Sequence, residues 1–409
     1  MNSKLKIFVW SLFDFANTAF YVIVLTVGYP LFFREVITQN SPNSDFLWGL
    51  SFSISMLIVA MISPLLGAMA DYGAGKKRFL LIFTLLCILA TASLFFTGSG
   101  MILLGIFLLI LANIGFEAGL VFYDAFLPEI TTEKSYGRVS GYGFAMGYVG
   151  SLVTLIIAFP LYQGGFVDSN IFNVRLSFII SALLFLIFSL PIFIFIPDKQ
   201  LKYKFEFRFF SEGYTRLKST FIQFKKYKNV ATFLLAYFLF IDGVNTVIIF
   251  SSIFARESLQ MDFGEIIILF IVVQSAAILG SAVFGIVSDH MGHKRTLIIT
   301  LIIWIGIVVS AYFVHDKNIF FIVAGIAGIS LGSSQSTSRS LMTSLTPAEK
   351  KTEFFGFYSF FGKASAILGP LLFGVISSMI DQRTAIISIA FFFVTGILIL
   401  TKVKESVAT

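Results

Sequence analysis

Twelve apolar stretches follow one another along the chain, separated by polar breaks. They lie at 7–33, 46–70, 79–97, 101–126, 139–163, 174–196, 230–255, 265–288, 296–314, 318–344, 353–380 and 384–401. A run of about 18 or more apolar residues is long enough to cross the hydrocarbon of a bilayer as a helix. The pattern therefore predicts an all-α integral membrane protein of twelve transmembrane helices. Most breaks are very short, which makes consecutive helices antiparallel neighbours. The long exception, 197–229, is rich in Lys and Arg and divides the spans into six plus six. The expected domains are an N-terminal six-helix bundle over 1–196, a basic linker over 197–229 and a C-terminal six-helix bundle over 230–409. Phe205, Phe207, Phe209, Phe210, Phe221 and Phe224 are mixed with the linker's basic residues. That mixture suits a helix lying on the membrane surface or a plain basic linker.

The two halves repeat each other. Gly67-Ala-Met-Ala-Asp71-Tyr-Gly-Ala-Gly75-Lys76-Lys77-Arg78 follows span two. Gly285-Ile-Val-Ser-Asp289-His-Met-Gly292-His-Lys294-Arg295 follows span eight, 218 positions later. Asp14-Phe-Ala-Asn17-Thr18 returns as Asp242-Gly-Val-Asn245-Thr246, offset by 228. Such doubling points to duplication into two pseudo-symmetric bundles. In a membrane protein it marks a carrier with its site between the halves.

Composition agrees. The chain is 57% hydrophobic and 12% charged, against about 25% charged residues in soluble domains. Its net charge is +7, and placement explains it. With the N-terminus inside, the inner segments hold 22 Lys and Arg and the outer segments 5. That asymmetry puts both termini in the cytoplasm and speaks against nucleic-acid binding. Lys4 and Lys6 precede an apolar stretch as in a signal peptide, but the run is too long and no small-residue cleavage site follows closely. It reads as an uncleaved first span. A single cysteine, Cys87, excludes an internal disulfide and is expected to serve packing.

Two or more residues in from the span ends, six charged side chains fall inside the spans: Asp14, Glu117, Asp124, Asp242, Arg339 and Lys363. Each costs about 2.5–3.5 kcal/mol at a helix centre on insertion scales. They must be paired, protonated or facing water. They sit on spans one, four, seven, ten and eleven, so these helices are polar enough to line a cavity. Asp14, Asn17, Tyr21, Asp242, Asn245 and Lys363 are the expected substrate-binding residues, with Lys363 facing a substrate carboxylate. Glu117 is the expected proton-coupling acid, since burial favours the protonated form of a carboxyl group. Arg339 with Glu117 or Asp124 could form a gate pair. Buried structural ion pairs are the alternative for Asp14, Asp242 and Lys363, and a wet helix end is the alternative for Asp124.

The repeated loops have a mechanical reading. Gly67 and Gly285 permit close helix approach. Asp71 and Asp289 can cap the next helix or pair with an arginine. Lys76, Lys77, Arg78, Lys294 and Arg295 can anchor at anionic headgroups. Gly137, Gly141, Gly143 and Gly147 on span five, and Gly325, Gly328 and Gly332 on span ten, suit close packing. Gly369-Pro370 can bend span eleven and Pro30 span one. No phosphate-binding loop and no nucleophile motif appears. His290 and His293 share a loop, are expected to be solvated and make a poor metal site by themselves. Neither metal, cofactor nor enzymatic chemistry is expected.

The loops resemble those of the major facilitator superfamily, which read Gly-x-x-x-Asp-x-x-Gly-x-Lys/Arg-Lys/Arg. The copy with Gly292 fits throughout. The first departs, with Ala74 at the second Gly position. Asp14-Phe-Ala-Asn17-Thr-Ala-Phe, Tyr123-Asp-Ala-Phe-Leu-Pro128-Glu129-Ile, Val139-Ser-Gly-Tyr-Gly-Phe-Ala-Met-Gly147-Tyr and Phe354-Phe-Gly-Phe-Tyr-Ser-Phe-Phe-Gly362-Lys363-Ala resemble the unknown-major-facilitator family. That family includes autophagy-related vacuolar amino-acid effluxers, and the compact chain looks like its prokaryotic type. The resemblance implies a monomeric secondary transporter in a bacterial cell membrane, moving a small solute such as an amino acid by alternating access. Two other readings remain open: an exporter of hydrophobic or cationic compounds, and a non-transporting sensor or scaffold.

Overall fold

The computed structural model describes residues 2–198, 208–222, 224–261, 263–365 and 368–405. Phe205 and Phe207 lie outside the described residues, as do the side chains of Phe209, Phe210, Phe221 and Phe224. Among the described residues every regular element is helical, and eleven helices are long and apolar enough to cross a membrane. These are spans one (Ser3–Ile37), two (Leu47–Tyr72), three (Lys76–Phe96), four (Ile102–Asp124), five (Glu133–Tyr162), six (Ile171–Phe195), seven (Lys228–Ser251), eight (Glu265–Met291), nine (His293–Phe313), ten (Lys317–Leu345) and twelve (Gln382–Leu400). The stretch expected as span eleven is helical over Lys351–Ser365 and Leu368–Met379, on either side of two residues outside those described.

Span one changes its winding along its length. Its α-helix Ser3–Phe20 is followed by wider π-type winding over Tyr21–Thr26, a short α segment Gly28–Phe32 and a second π segment Phe33–Ile37. The Val27 amide reaches the Val22 carbonyl, five residues back, at 2.9 Å. Pro30 has no amide to donate, and the wider turns on either side take up the interruption.

The chain forms two compact units. The first holds Met1–Phe126 and Met146–Arg216, the second Leu127–Ala145 and Leu217–Thr409. In the first unit, Trp10 and Phe13 of span one stack on Tyr123 of span four at 4.7 and 4.9 Å, and Phe185 of span six meets Phe13 edge-on at 5.8 Å. Spans three and four touch backbone to backbone, because a Cβ on Gly115 would lie 2.6 Å from the Cys87 nitrogen. Helix Arg208–Ile222 lies against the end of span two, with Gly213 next to Met69 and Leu65.

In the second unit, Gly280, Gly328 and Gly332 bring spans eight and ten so close that a side chain would strike the facing backbone. This is small-residue packing, which lets membrane helices gain dispersion and polar contacts. The start of span five does the same against span eight: a Cβ on Gly285 would lie 2.6 Å from the Gly137 carbonyl oxygen and 3.1 Å from the Gly141 Cα.

One device ties each unit at its basic-loop end. In the first unit, the Lys77 amide donates to Asp198 Oδ2 at 2.8 Å, and the Lys77 ammonium donates to the Ile196 carbonyl at 2.7 Å. In the second unit, the His293 and Lys294 amides donate to the two oxygens of Glu405, both at 2.8 Å. The Lys294 ammonium donates to the Thr401 and Val403 carbonyls at 2.7 and 2.6 Å. A carboxylate thus satisfies orphan amides at the positive ends of spans three and nine. The strand of chain that leaves span six or span twelve provides it.

This geometry corrects the alignment of the repeated loops. Gly75 (φ 81°, ψ 129°) and Gly292 (φ 91°, ψ 142°) share the same left-handed conformation immediately before spans three and nine. Gly292 therefore corresponds to Gly75, and Ala74 belongs to a one-residue insertion. Residues Ala70–Ala74 absorb it by winding as a π-helix, which holds one extra residue per turn. A second correction concerns His293. It is 5% exposed, because span nine begins with it directly after the Gly292 turn, whereas His290 is exposed.

Candidate functional site

Asp14 lies on span one and is buried. Its Oδ2 accepts from the Tyr123 hydroxyl at 2.7 Å, and its Oδ1 accepts from Asn17 Nδ2 at 3.3 Å. The stacking of Tyr123 on Trp10 and Phe13 fixes that hydroxyl, and the Trp10 indole NH donates to the Tyr123 carbonyl at 3.2 Å. Donors aimed at a carboxylate stabilise its charged form. Gly147 of span five passes beside this acid, with room for a Cβ only 3.6 Å from Asp14. Tyr21, at the start of the π segment, is exposed. Glu117 is buried on span four, one turn beyond Asn113, whose amide donates to Ser55 Oγ of span two at 2.6 Å. Asp124 ends span four half-buried.

Asp242 has the same place in the repeat but a different partner. Its Oδ2 accepts from the Gly369 amide of span eleven at 2.8 Å. Asn245 is half-buried one turn on. Lys363 is half-buried on span eleven. The structure thus brings Asp14 and Asn17 together in the first unit. In the second it joins Asp242 to a residue that was not expected at a site.

Arg339 of span ten is 1% exposed. Its Nε donates to Ser140 Oγ at 2.9 Å and an Nη donates to the Ser140 carbonyl at 2.7 Å. The Phe144 ring lies 4.0 Å from the guanidinium carbon, a cation–π contact. Nearby, the Gly137 and Arg138 amides donate to Asp289 at 2.7 and 3.0 Å, and Arg138 Nε stands 3.8 Å from the same carboxylate. Of the two roles expected for Asp289, the structure gives it the arginine. It also caps span five, because Glu405 already occupies the amides of span nine.

The basic residues of the first loop divide by burial. Lys76 is 1% exposed and donates to the Ala125 carbonyl at 2.8 Å, over the Phe126 ring. Lys77 is turned onto Ile196 and Asp198, and Arg78 is half-buried. In the second loop Arg295 is exposed. Gly67 and Gly285 are buried, and Asp71 is half-buried.

Sequence reasoning missed Tyr123, Ser140, Gly369, Asp198 and Glu405. Tyr123, Ser140 and Gly369 lay within patterns already visible, and none of those patterns named a partner.

Comparisons with known proteins agree with this architecture. A family model described as "Vacuole effluxer Atg22 like" matches residues 43–408. The chain is similar to YxiO of Bacillus subtilis, an uncharacterized MFS-type transporter, with 34% identity over 408 residues covering 98% of this chain and 95% of the relative. It is 23% identical over 404 residues to autophagy-related protein 22 of Coccidioides immitis, covering 80% of this chain and 67% of that protein. Among solved structures, the human organic anion transporter MFSD10 matches with a TM-score of 0.77 at 12% identity, covering 98% of this chain and 100% of the other. The proton:xylose symporter XylE matches at 0.73 and 13%, covering 98% and 95%. These two likenesses establish the fold, which is of the major facilitator type.

Proposed function

We infer the mode of action from one premise, that the chain belongs to the Atg22-like vacuole effluxer family of major facilitator transporters. It is an integral multi-pass membrane protein. It acts as a monomeric secondary transporter that moves a small solute, such as an amino acid, by alternating access coupled to protons. Both termini face the cytoplasm of a bacterial cell.

The observation that carries this reading is the care taken with Asp14. A carboxylate deep in a membrane span costs several kcal/mol unless it is served by partners. Here span four supplies a hydroxyl held by two aromatic rings. A carrier for a zwitterion has use for a fixed anion that can exchange a protein donor for a substrate ammonium. In this reading Asp14, Asn17, Tyr21, Asp242 and Asn245 supply the polarity of the substrate path. Lys363 meets the substrate carboxylate and Glu117 carries a coupling proton. Arg339 works with Glu117 or Asp124 at a gate. The loops with Gly67, Asp71, Lys76, Lys77 and Arg78, and with Gly285, Asp289, Gly292, Lys294 and Arg295, act as latches. The hold of Asp289 on the start of span five supports that last role.

The test is counterflow in proteoliposomes, after a thermal-shift screen of amino acids, peptides, nucleosides and sugars. Wild-type protein is expected to exchange a labelled amino acid saturably, and Asp14→Asn to lose at least 10-fold in rate. Resistance to hydrophobic cations without amino-acid flux would replace this reading with that of a drug-type exporter. No thermal shift and no flux with any solute would favour a sensor or scaffold.

A further inference from the structure

The helix Arg208–Ile222 covers span two with one face and leaves the other bare. Gly213 is buried there, where a Cβ would lie 2.5 Å from Met69 Cγ and 3.5 Å from Leu65 Cδ1. At 3.6 residues per turn, Ser211, Tyr214, Thr215, Lys218 and Ile222 fall on the side opposite Gly213. All five are exposed, Tyr214 by 62% and Ile222 by 74%. Tyr214, Lys218 and Ile222 follow one another at intervals of four, so a lysine stands between two large uncovered apolar side chains. That pattern suits a membrane interface. The ring and the aliphatic side chain enter the acyl boundary while the ammonium reaches the headgroups.

The depth of the helix fits. Leu57, Met61, Leu65 and Met69 form one row of span two, four residues apart. Leu57 and Met61 are exposed, Leu65 is half-buried and Met69 is buried. Bare apolar side chains on a span meet hydrocarbon, and the helix closes this row about 12 Å beyond Met61. It therefore lies where hydrocarbon gives way to headgroups, three residues before span two ends at Tyr72. Charge fits too. Residues 197–229 carry nine Lys and Arg against Asp198, Glu206 and Glu212, a net +6 in a chain of net +7. Asp198 is occupied by the Lys77 amide. Lys218, together with Lys226 and Lys228 just beyond the helix, is exposed, and among the described residues no ion pair engages these three.

We propose that the bare face of Arg208–Ile222 is a docking surface for anionic phospholipid headgroups at the inner face of the membrane. Tyr214 and Ile222 insert at the level of the glycerol backbone, and Lys218 meets a phosphodiester, with Lys226 and Lys228 drawing further anionic lipid to the same place. A lipid surface answers both features of the helix. It supplies the negative charge that the segment lacks, and it covers the two apolar side chains. Free phosphate would satisfy Lys218 and leave Tyr214 and Ile222 in water. This role needs the membrane and the inward placement of 197–229, whichever solute is carried.

The test needs no substrate. Full-length protein is placed in nanodiscs of phosphatidylcholine alone, or of phosphatidylcholine with an equal part of phosphatidylglycerol, and hydrogen exchange is followed over 208–222. With phosphatidylglycerol, exchange is expected to slow by about 5-fold for each lysine engaged. High salt is expected to remove that gain. Lys218→Gln keeps a good helix former and is expected to lose about one 5-fold step of the gain. Ile222→Ser is expected to speed exchange in both kinds of disc. Exchange over 76–96 is expected to stay the same in both. Equal exchange over 208–222 in the two discs would overturn the proposal, as would a full gain in Lys218→Gln or a change over 76–96 as large as that over 208–222. Heparin or inorganic phosphate that reproduces the full gain in phosphatidylcholine discs would also overturn it, by assigning the face to a soluble polyanion or a free ion.

Discussion

Tyr123 shows how one residue can serve an ion without being charged. Its ring stacks on Trp10 and Phe13 of span one, and that packing aims its hydroxyl at Asp14. Removing only the hydroxyl, in Tyr123→Phe, keeps the stack and deletes the donor. A hydrogen bond to a charged group contributes about 1.5–3 kcal/mol, so the variant is expected to unfold at a lower temperature in detergent and to exchange solute more slowly. Thermal unfolding followed by counterflow checks both. Asp14 was legible in the sequence because a charge inside an apolar run stands out. Tyr123 was not, because one tyrosine at the end of a Phe-rich helix has no period that points to a partner 109 positions away. His293 misled for a related reason. Sequence places it in a loop, whereas the Gly292 turn is so tight that span nine starts at once and buries the ring.

At the scale of the element, the two repeated loops differ by one residue and agree in shape. The extra residue between Asp71 and Gly75 is carried by π winding. Deleting Ala74 should let that stretch wind as an ordinary α-helix, with a stability change within about 1 kcal/mol, since one turn rewinds and Gly75 keeps its place. Gly292→Ala is expected to be more harmful, by about 1–2 kcal/mol, because an L side chain is strained at φ 91°. Comparing the two unfolding midpoints decides the matter; a deletion that costs more than the substitution would mean that the π segment is held by its own contacts. The spans themselves were readable, because hydrocarbon imposes length and composition on any helix that crosses it. Glycine pairs on spans five and ten were readable as packing signals. What they pack against was not, because Gly285 and Gly137 meet across 148 positions of chain that no periodicity connects. Gly369 stood out in the sequence beside Pro370, but the acid that its amide meets comes from another helix.

For the whole molecule, the proposed orientation, with both termini in the cytoplasm, rests on 22 basic residues in the segments it places inside against 5 in those it places outside. Several of these are occupied inside the fold: Lys76, Lys77 and Lys294 donate to carbonyl oxygens. Basic residues act on topology during insertion, before such bonds exist, so their later burial does not weaken the signal. Reporter fusions after Arg78, within the linker and after the last span are therefore expected to be active only as cytoplasmic reporters. A periplasmic signal at any of them would reverse the assignment of faces. The family was legible because its loop motifs recur at matching places in both halves. The substrate was not, because selectivity depends on a few side chains whose mutual positions are set by the packing of many helices.

Glu405 has a practical side. The acid that closes the start of span nine lies only five residues beyond Leu400, the last residue of span twelve. An expression vector that trims the tail at Lys404, or fuses a rigid tag there, would strip two amides of their acceptor and leave Lys294 to hold the helix alone. Protein engineers who need a handle on this molecule should append it after Glu405 through a pliant spacer.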